Sequence, residues 1–275
     1  MAVFLHSAGK TYTYEELVEN INRSTTYSPY FQSKDLYAYF ANLIKALVTK
    51  QPIVLIDADS SPADMPYLDF ALVNKPQEVG VSSFKDMDEL IEALSQSTSE
   101  ITIFTSGTTG QPKKVVHSIA TLTRSVRTGD KYRNQVWAYA YNPTHMAGLQ
   151  VFFQAFENMN PLVNVFNLQR SDVYAKIDEY AITHISATPT FYRLLLPVEK
   201  SYTSVQRVTL GGEKSDEHLY ESIRKIFPCA KINNVYASTE AGSLFAAKGD
   251  CFQIPMAIRD KFSVIDDELL IHKSL

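Results

Sequence analysis

The chain has 275 residues, 45% of them hydrophobic and 20% charged, which is typical of a globular protein large enough for two lobes. Its net charge of −4 argues against a general nucleic-acid binder, although a local anion site is compatible with that charge. Two cysteines without a metal-ligand spacing favour a reducing compartment, so we expect a cytoplasmic protein. The first residues do not resemble a secretory signal, and no apolar run approaches the roughly 18 residues of a membrane span.

Helical and strand patterns alternate along the chain. Helices are predicted where apolar residues recur on one face after an acidic residue or a serine such as Ser171 or Ser215; they cover 14–24, 36–50, 86–97, 171–180 and 215–227. Short β-branched runs predict strands; they cover 53–59, 101–104, 136–141, 162–166, 182–187, 205–210 and 231–237. This alternation predicts an α/β fold with a mostly parallel sheet, or two such sheets, flanked by helices.

One stretch, 103-IFTSGTTGQPKKVVHS-118, is rich in glycine and hydroxyl groups. Read as a strand-to-helix turn, it would present backbone N–H groups to a phosphate. Gly107 and Gly110 would let the backbone approach the anion, and Lys113 and Lys114 supply positive charge. The hydroxyl groups available to phosphate oxygens belong to Thr105, Ser106, Thr108 and Thr109. The spacing differs from the common P-loop, and a flexible surface turn is the competing interpretation.

The order of residues in this stretch resembles the phosphate-loop signature T-S-G-T-T-G-x-P-K-G-V of the adenylate-forming superfamily, with Lys114 in place of a glycine. That superfamily includes acyl-CoA synthetases, aryl-CoA ligases, luciferases and nonribosomal-peptide adenylation domains. Later segments resemble further motifs of the family in the same order; they are 141–156, 186–196, 205–219 and 233–242. In the last of them, Ala237 replaces a glycine. The early helix at 13–23 matches more weakly.

The resemblance implies a fold and its divisions. Residues 1–275 would form the large N-terminal domain of the superfamily, with two mostly parallel β-sheets flanked by helices. One sublobe would cover about 50–165 and carry the phosphate loop, and the other would cover 166–245 plus the N-terminal helices, on the adenine side. Residues 246–275 would begin a small β-barrel, which stays incomplete at the C-terminal end.

Family members continue beyond this point with a ribose-binding aspartate, a hinge and a small mobile domain that carries a lysine. The present chain shows no match to that aspartate or that lysine. We expect a truncated chain; a separate polypeptide that supplies the lid, or a domain that binds nucleotide without efficient turnover, are the alternatives.

The implied reaction is ATP-dependent activation of a carboxylic acid to an acyl-adenylate, followed by thioester formation with coenzyme A or a carrier-protein thiol. The implied ligands are ATP or AMP, Mg²⁺, coenzyme A and a compact apolar or aromatic acid, with medium-chain fatty acids left open. Two alternatives stand beside this one. A degenerate, non-catalytic nucleotide-binding module of the same family is favoured by the changes at Lys114 and Ala237. An unrelated phosphate-binding α/β phosphotransferase would share only the glycine-rich turn.

The resemblance also implies a role for each matched residue. The β- and γ-phosphates would be held by Thr105, Ser106, Gly107, Thr108, Thr109, Gly110 and Lys113. Thr239 would bond the α-phosphate and Glu240 would bind Mg²⁺. The residues around adenine would be Gly211, Gly212, Glu213, Asn234 and Tyr236, with Tyr236 stacked on the ring and Asn234 bonded to its amino group. His145 would orient the acyl carboxylate or gate its channel.

These roles compete with structural explanations. His145 alone would be an ordinary histidine at a helix start, and Pro143 and Gly148 around it favour the site role. Tyr236 is alternatively a core aromatic, since the chain has 16 tyrosines and 15 phenylalanines. Lys114 is alternatively a solvated charge. The histidines interpreted as structural are His117 and His184.

Overall fold

A computed structural model describes residues 2–105, 112–238, 242–248, 251–265 and 268–272. The helices are α1 (Tyr14–Arg23), α2 (Leu36–Val48), α3 (Met87–Ser95), α4 (Ile119–Thr123), α5 (Met146–Phe156), α6 (Arg170–Glu179), α7 (Pro189–Leu194) and α8 (Glu217–Ile226). The first strands are β1 (Val3–Ser7), β2 (Lys10–Thr13), β3 (Thr26–Tyr27), β4 (Tyr30–Gln32), β5 (Ile53–Ile56), β6 (Gln77–Glu78), β7 (Ile101–Thr105) and β8 (Lys113–His117). The remaining strands are β9 (Trp137–Tyr139), β10 (Leu162–Asn164), β11 (His184–Ala187), β12 (Arg207–Gly211), β13 (Lys231–Ser238), β14 (Gly242–Lys248), β15 (Cys251–Phe252), β16 (Phe262–Ile265) and β17 (Glu268–Ile271).

Side-chain caps fix where the helices begin. Thr13 and Glu16 form a reciprocal capping box before α1, in which each side chain accepts from the backbone N–H of the other residue. The predicted caps at Ser171 and Ser215 are wrong. The helix α6 begins after Gln169, which makes no side-chain cap bond, and α8 begins after Asp216, whose carboxylate accepts from Leu219 N at 2.9 Å. Asp216 lies one residue beyond Ser215, and its charge also suits the helix dipole.

The larger sheet in the described part of the chain has the strand order β15-β14-β13-β12-β11-β9-β10-β1-β2. Every pair from β13 to β1 is parallel, whereas β2, β14 and β15 join their neighbours antiparallel. The predicted α/β fold with mixed and parallel sheets is therefore confirmed. The parallel strands end together at one edge, which is where ligands of such sheets bind.

The second sheet has the order β4-β5-β7-β8, in which β4, β5 and β7 are parallel and β8 is antiparallel to β7. The glycine-rich stretch therefore joins two antiparallel strands, and the predicted strand-to-helix turn is wrong. Val115 and Val116 are β-branched and pair with Ile103 and Thr102, which favours a strand. The helix begins only at α4, after the Ser118 cap.

Two buried apolar clusters hold the sheets and helices together. The first includes Phe4, Phe40 and Phe152 and joins α1, α2 and α5 to strands of both sheets. The rings of Phe40 and Phe152 stack with centroids 4.1 Å apart. The second cluster joins β11 and β12 to α6, α7 and α8. The division into the sublobes 50–165 and 166–245 stays a prediction.

The C-terminal part extends the larger sheet and adds a separate hairpin. The strands β14 and β15 continue the sheet beyond β13, and β16 pairs with β17 in a two-stranded sheet. The described ranges of residues 246–275 contain this hairpin and no closed barrel. None of the helices that the structure describes has the length and apolarity to cross a bilayer.

Candidate functional site

A cleft of about 1290 Å³ runs along one face of the larger sheet, beside α5. Alternate side chains of the strands form its floor, because neighbouring residues of a strand point to opposite faces; they include Trp137, His184, Ser186, Arg207, Thr209, Asn233 and Val235. Met146, Gln150 and Gln154 line the wall, four residues apart on α5. Phe104 and Thr105, at the end of β7 in the second sheet, also line the cleft.

Five of the predicted site residues line this cleft; they are Thr105, His145, Gly211, Gly212 and Glu213. They come from three separate segments, and Thr105 lies on a different sheet from Gly211. The predicted residues that lie outside the described ranges are Ser106, Gly107, Thr108, Thr109, Gly110, Thr239 and Glu240. The cleft thus brings the end of β7, the start of α5 and the turn after β12 around one space.

The strand register distinguishes Lys113 from Lys114. Lys113 is the cross-strand partner of Thr105, and Lys114 is the partner of Phe104. Cross-strand partners share a face of the sheet, and neighbouring residues of one strand do not. Lys113 therefore lies on the face of Thr105, at the residue where the glycine-rich stretch begins. Both lysine side chains are exposed.

The turn after β12 requires glycine at two positions. A Cβ on Gly211 would lie 2.9 Å from Val235 Cγ2, on the neighbouring strand, and Gly212 has a φ of +82°. Glu213 then anchors the turn, because its Oε2 accepts from Thr190 N at 2.9 Å and from Thr190 Oγ1 at 2.6 Å. Its carboxylate therefore ties this turn to the first turn of α7.

Asn234 and Tyr236 do not line the cleft. Asn234 Nδ2 donates to Ser215 Oγ at 3.0 Å and to Tyr220 OH at 2.9 Å, and its buried Oδ1 has no hydrogen-bond partner among the described residues. The ring of Tyr236 stacks on Phe245, with centroids 5.1 Å apart. Sequence reasoning missed the cleft residue Asn233 on the same strand. Strand alternation already separates Asn233 from Asn234, and the partner Thr209 identifies the cleft face.

One hydrogen bond between the two sheets and three local bonds hold the loop that carries His145. Asn142 Nδ2 donates to a carboxylate oxygen of Asp57, which directly follows β5. Asn142 Oδ1 accepts from Thr144 N at 3.0 Å and Thr144 Oγ1 at 2.9 Å, and its carbonyl accepts from His145 N at 3.1 Å. Asp57 thus fixes the start of α5 relative to the sheet that carries the glycine-rich stretch.

His145 faces the cleft with an imidazole that favours the neutral form. Its side chain is exposed, yet the surrounding protein lowers its pKa by desolvation, and the negative charge of Asp57 partly opposes that shift. A neutral imidazole has one N–H donor and one acceptor nitrogen. The group is therefore able to donate to a carboxylate at neutral pH.

Two other titratable groups of the cleft are buried and neutral. Burial, followed by the positive charge of Arg207, lowers the pKa of His184 to about 4. Burial raises the pKa of Tyr141 to about 12, although a hydrogen bond to Ser186 acts to lower that pKa. His184 Nδ1 is hydrogen-bonded to Thr183 Oγ1 at 2.8 Å, and its ring packs 4.8 Å from that of Trp137.

The described residues include no group of three His, Cys, Asp or Glu side chains that could hold a metal ion. Magnesium at a nucleotide site needs only one or two carboxylates besides phosphate oxygens and water. Glu240, the residue predicted to bind Mg²⁺, lies outside the described ranges.

The chain belongs to the AMP-binding enzyme family, because the model of that family matches residues 37–263. Tyrocidine synthase 3 of Brevibacillus parabrevis is 29% identical over 154 residues, which cover 50% of this chain and 2% of that protein. The 2-succinylbenzoate–CoA ligase of Bacillus subtilis is 30% identical over 175 residues, which cover 58% of this chain and 35% of that protein. The matches thus span about a third or less of these relatives.

Solved structures share the fold. The O-succinylbenzoate coenzyme A synthetase of Bacillus subtilis in complex with ATP and magnesium ion superposes with a TM-score of 0.64 at 19% identity, over 90% of this chain and 59% of that chain. The N-terminal subdomain of NpsA from Klebsiella oxytoca superposes with a TM-score of 0.67 at 15% identity, over 91% of this chain and 74% of that chain. At such low identity the likeness shows the fold alone.

Proposed function

We propose that the chain activates a carboxylic acid with ATP to give an acyl-adenylate and pyrophosphate. The observation that carries the proposal is the shared cleft, which places Thr105 of one sheet with His145 and the Gly211–Glu213 turn of the other sheet. Membership of the AMP-binding family supports it, and so does the similarity to a 2-succinylbenzoate–CoA ligase. The second step, transfer of the acyl group to coenzyme A or to a carrier-protein thiol, is part of the same proposal.

In the proposed reaction, a carboxylate oxygen of the acid attacks the α-phosphorus of ATP, and the bond from that phosphorus to pyrophosphate breaks. Lys113 and the hydroxyls of the glycine-rich stretch neutralise the charge that develops on the leaving group. Thr239 donates a hydrogen bond to the α-phosphate. Glu240 would hold Mg²⁺, which would supply further neutralisation of phosphate charge.

His145 orients the attacking carboxylate. Its neutral imidazole donates one hydrogen bond to that group without the competing ion pair that an imidazolium would form. Positioning of this kind lowers the activation barrier, because the two reactants lose less entropy on reaching the transition state. Gly211 and Gly212 leave space beside the adenine ring. The roles of Asn234 and Tyr236 at the base stay predictions, because neither residue lines the cleft.

Carboxylate-dependent exchange of labelled pyrophosphate into ATP tests the proposal. We expect exchange that requires an acid and Mg²⁺. Binding of ATP without exchange for any acid in a broad panel would instead favour a non-catalytic nucleotide-binding module of this family. Transfer of the γ-phosphoryl group to an acceptor would favour a phosphotransferase. A cytoplasmic location stays a prediction.

A further inference from the structure

The cleft has two chemically different ends. At the carboxyl edge of the sheet it is lined by Tyr141 and Gly211, next to the start of α5. At the amino edge, Trp137, His184 and Arg207 form a row of cross-strand neighbours on β9, β11 and β12. From Gly211 to Arg207 the strand covers roughly 13 Å, at about 3.3 Å per residue. The cleft is therefore long enough for an extended acid.

The chain fixes Arg127 at the amino-edge end of the cleft. Its backbone N–H donates to Gln154 Oε1 at 2.9 Å, and its carbonyl accepts from Gln154 Nε2 and Asn158 Nδ2, each at 2.9 Å. Gln154 is on the last turn of α5, which returns the chain to the amino edge, where Trp137 N donates to Pro161 O at 3.0 Å. Three hydrogen bonds thus place Arg127 beside the wall of the cleft.

A second cation converges on the same point. The nearby side chains of Arg127, first, and Lys131 lower the pKa of the Tyr132 hydroxyl. Lys131 Nζ also lies 4.9 Å from the Tyr132 ring centroid. The carbonyl of Tyr132 accepts from Asn160 Nδ2 at 2.7 Å, which ties this turn to the end of α5. Arg127, Lys131 and Arg207 all line the cleft.

These three cations have no carboxylate partner among the described residues. Asp130, the neighbour of Lys131, is paired with Arg133 instead. The one carboxylate that lines the cleft in the described part of the chain is that of Glu213, which is at the opposite end and is bonded to Thr190. The amino-edge end is thus a positive pole without an internal counter-charge.

We propose that this end of the cleft binds a second negatively charged group of the acid, so that the substrate class is a dicarboxylic acid. The inference rests on the proposed function for the end at His145 and differs from the compact apolar or aromatic acid expected from the sequence. Arg127 and Arg207 would provide planar guanidinium forks that match a carboxylate. Trp137 and the neutral ring of His184, in the same row as Arg207, would pack against the part of the apolar stem next to this second charged group.

Trp137 is the single tryptophan of the chain, so its fluorescence reports directly on this end of the cleft. The test titrates the full chain with decanedioate and with decanoate, which share a ten-carbon stem and differ in the second carboxylate. We expect decanedioate to bind about tenfold more tightly, as a charge-assisted contact would give. Equal affinities, tighter binding of decanoate or no binding of decanedioate would overturn the proposal.

Matched variants locate the effect. Arg207→Gln and Arg127→Gln should each bring the affinity for decanedioate close to that for decanoate. Lys225→Gln is the control, because Lys225 is an exposed cation on α8 and does not line the cleft. A preference that survives in both arginine variants, or an equal loss in Lys225→Gln, would show general surface attraction and overturn the subsite. Thermal melts confirm that each variant is folded.

Pyrophosphate exchange, measured in parallel, separates this inference from the proposed function. Tight binding of decanedioate without exchange would count against acid activation and leave the subsite standing. Equal exchange with both acids, together with equal binding, would leave acid activation standing and remove the subsite.

Discussion

Glu157 follows α5, where desolvation raises the pKa of its carboxyl group to about 7. The folded chain therefore holds this proton more tightly than the unfolded chain, and it loses stability as the pH rises from the unfolded pKa through 7. Glu157→Gln should stabilise the fold by roughly 1–3 kcal/mol at pH 8.5 and by much less at pH 5. Urea denaturation at both pH values measures this. The exposed Glu221→Gln is the control, and a gain independent of pH would contradict the explanation.

Asp57 provides the one charge that opposes the desolvation of His145. Asp57→Asn keeps an acceptor for Asn142 Nδ2 but removes the negative charge, so the pKa of His145 should fall further below its usual value. An NMR titration of the imidazole protons measures the shift. Asp59→Asn is the matched control, since Asp59 lies two residues away in an exposed ion pair with Lys34. An unchanged or raised pKa in Asp57→Asn would mean that the two groups are not coupled.

At the scale of elements, the first two residues of β8 lie on opposite faces of the sheet. Lys113 shares the face of Thr105, and Lys114 lies on the other face. Lys113→Ala should weaken ATP binding about tenfold or more, whereas Lys114→Ala should change it little, because the proposed site assigns the phosphates to Lys113 alone. Calorimetric titration with ATP and Mg²⁺ provides both values. Equal losses would refute the assignment of Lys113.

The start of α5 depends on a close approach to the preceding loop. A Cβ on Gly148 would lie 2.5 Å from Asn142 O and 2.9 Å from Tyr139 OH. Gly148→Ala should therefore displace the helix start and destabilise the fold by about 1–3 kcal/mol. Gly80→Ala is the control, because a Cβ there meets nothing within 4 Å. Chemical denaturation compares the two, and equal effects would mean that the contact at Gly148 relaxes freely.

At the scale of the whole molecule, sequence patterns predicted the alternation of strands and helices because the spacing of apolar residues is a local signal. The strands β5, β7, β9, β10, β11, β12 and β13 and the helices α1, α2, α3, α6 and α8 were recovered in this way. The strand β8 was not predicted, since a glycine-rich loop permits either a helix or a strand after it. The face of β13 was missed for a different reason. Asn233 and Asn234 are chemically identical, and only the pairing of Asn233 with Thr209 shows which one meets the cleft.

The candidate site was predictable as a set of segments but not as an arrangement. Thr105, His145 and Gly211 lie far apart in the chain and on different elements, so their convergence depends on packing between two sheets. The Asp57–Asn142 bond that joins those sheets left no signal in the sequence, because an aspartate after a strand is common in any turn. Long-range contacts of this kind require the folded structure.

A ligand held by both sheets should stabilise the whole chain. ATP with Mg²⁺ at a hundredfold excess over its Kd should add about 2.7 kcal/mol to the free energy of unfolding, by mass action. If Glu240 binds the metal, Glu240→Gln should remove most of the Mg²⁺-dependent part of this gain and leave the part that ATP provides with EDTA. Thermal melts with ATP, with and without Mg²⁺, measure both parts, and Glu221→Gln is the control. An unchanged Mg²⁺ dependence would exclude Glu240 from the metal site.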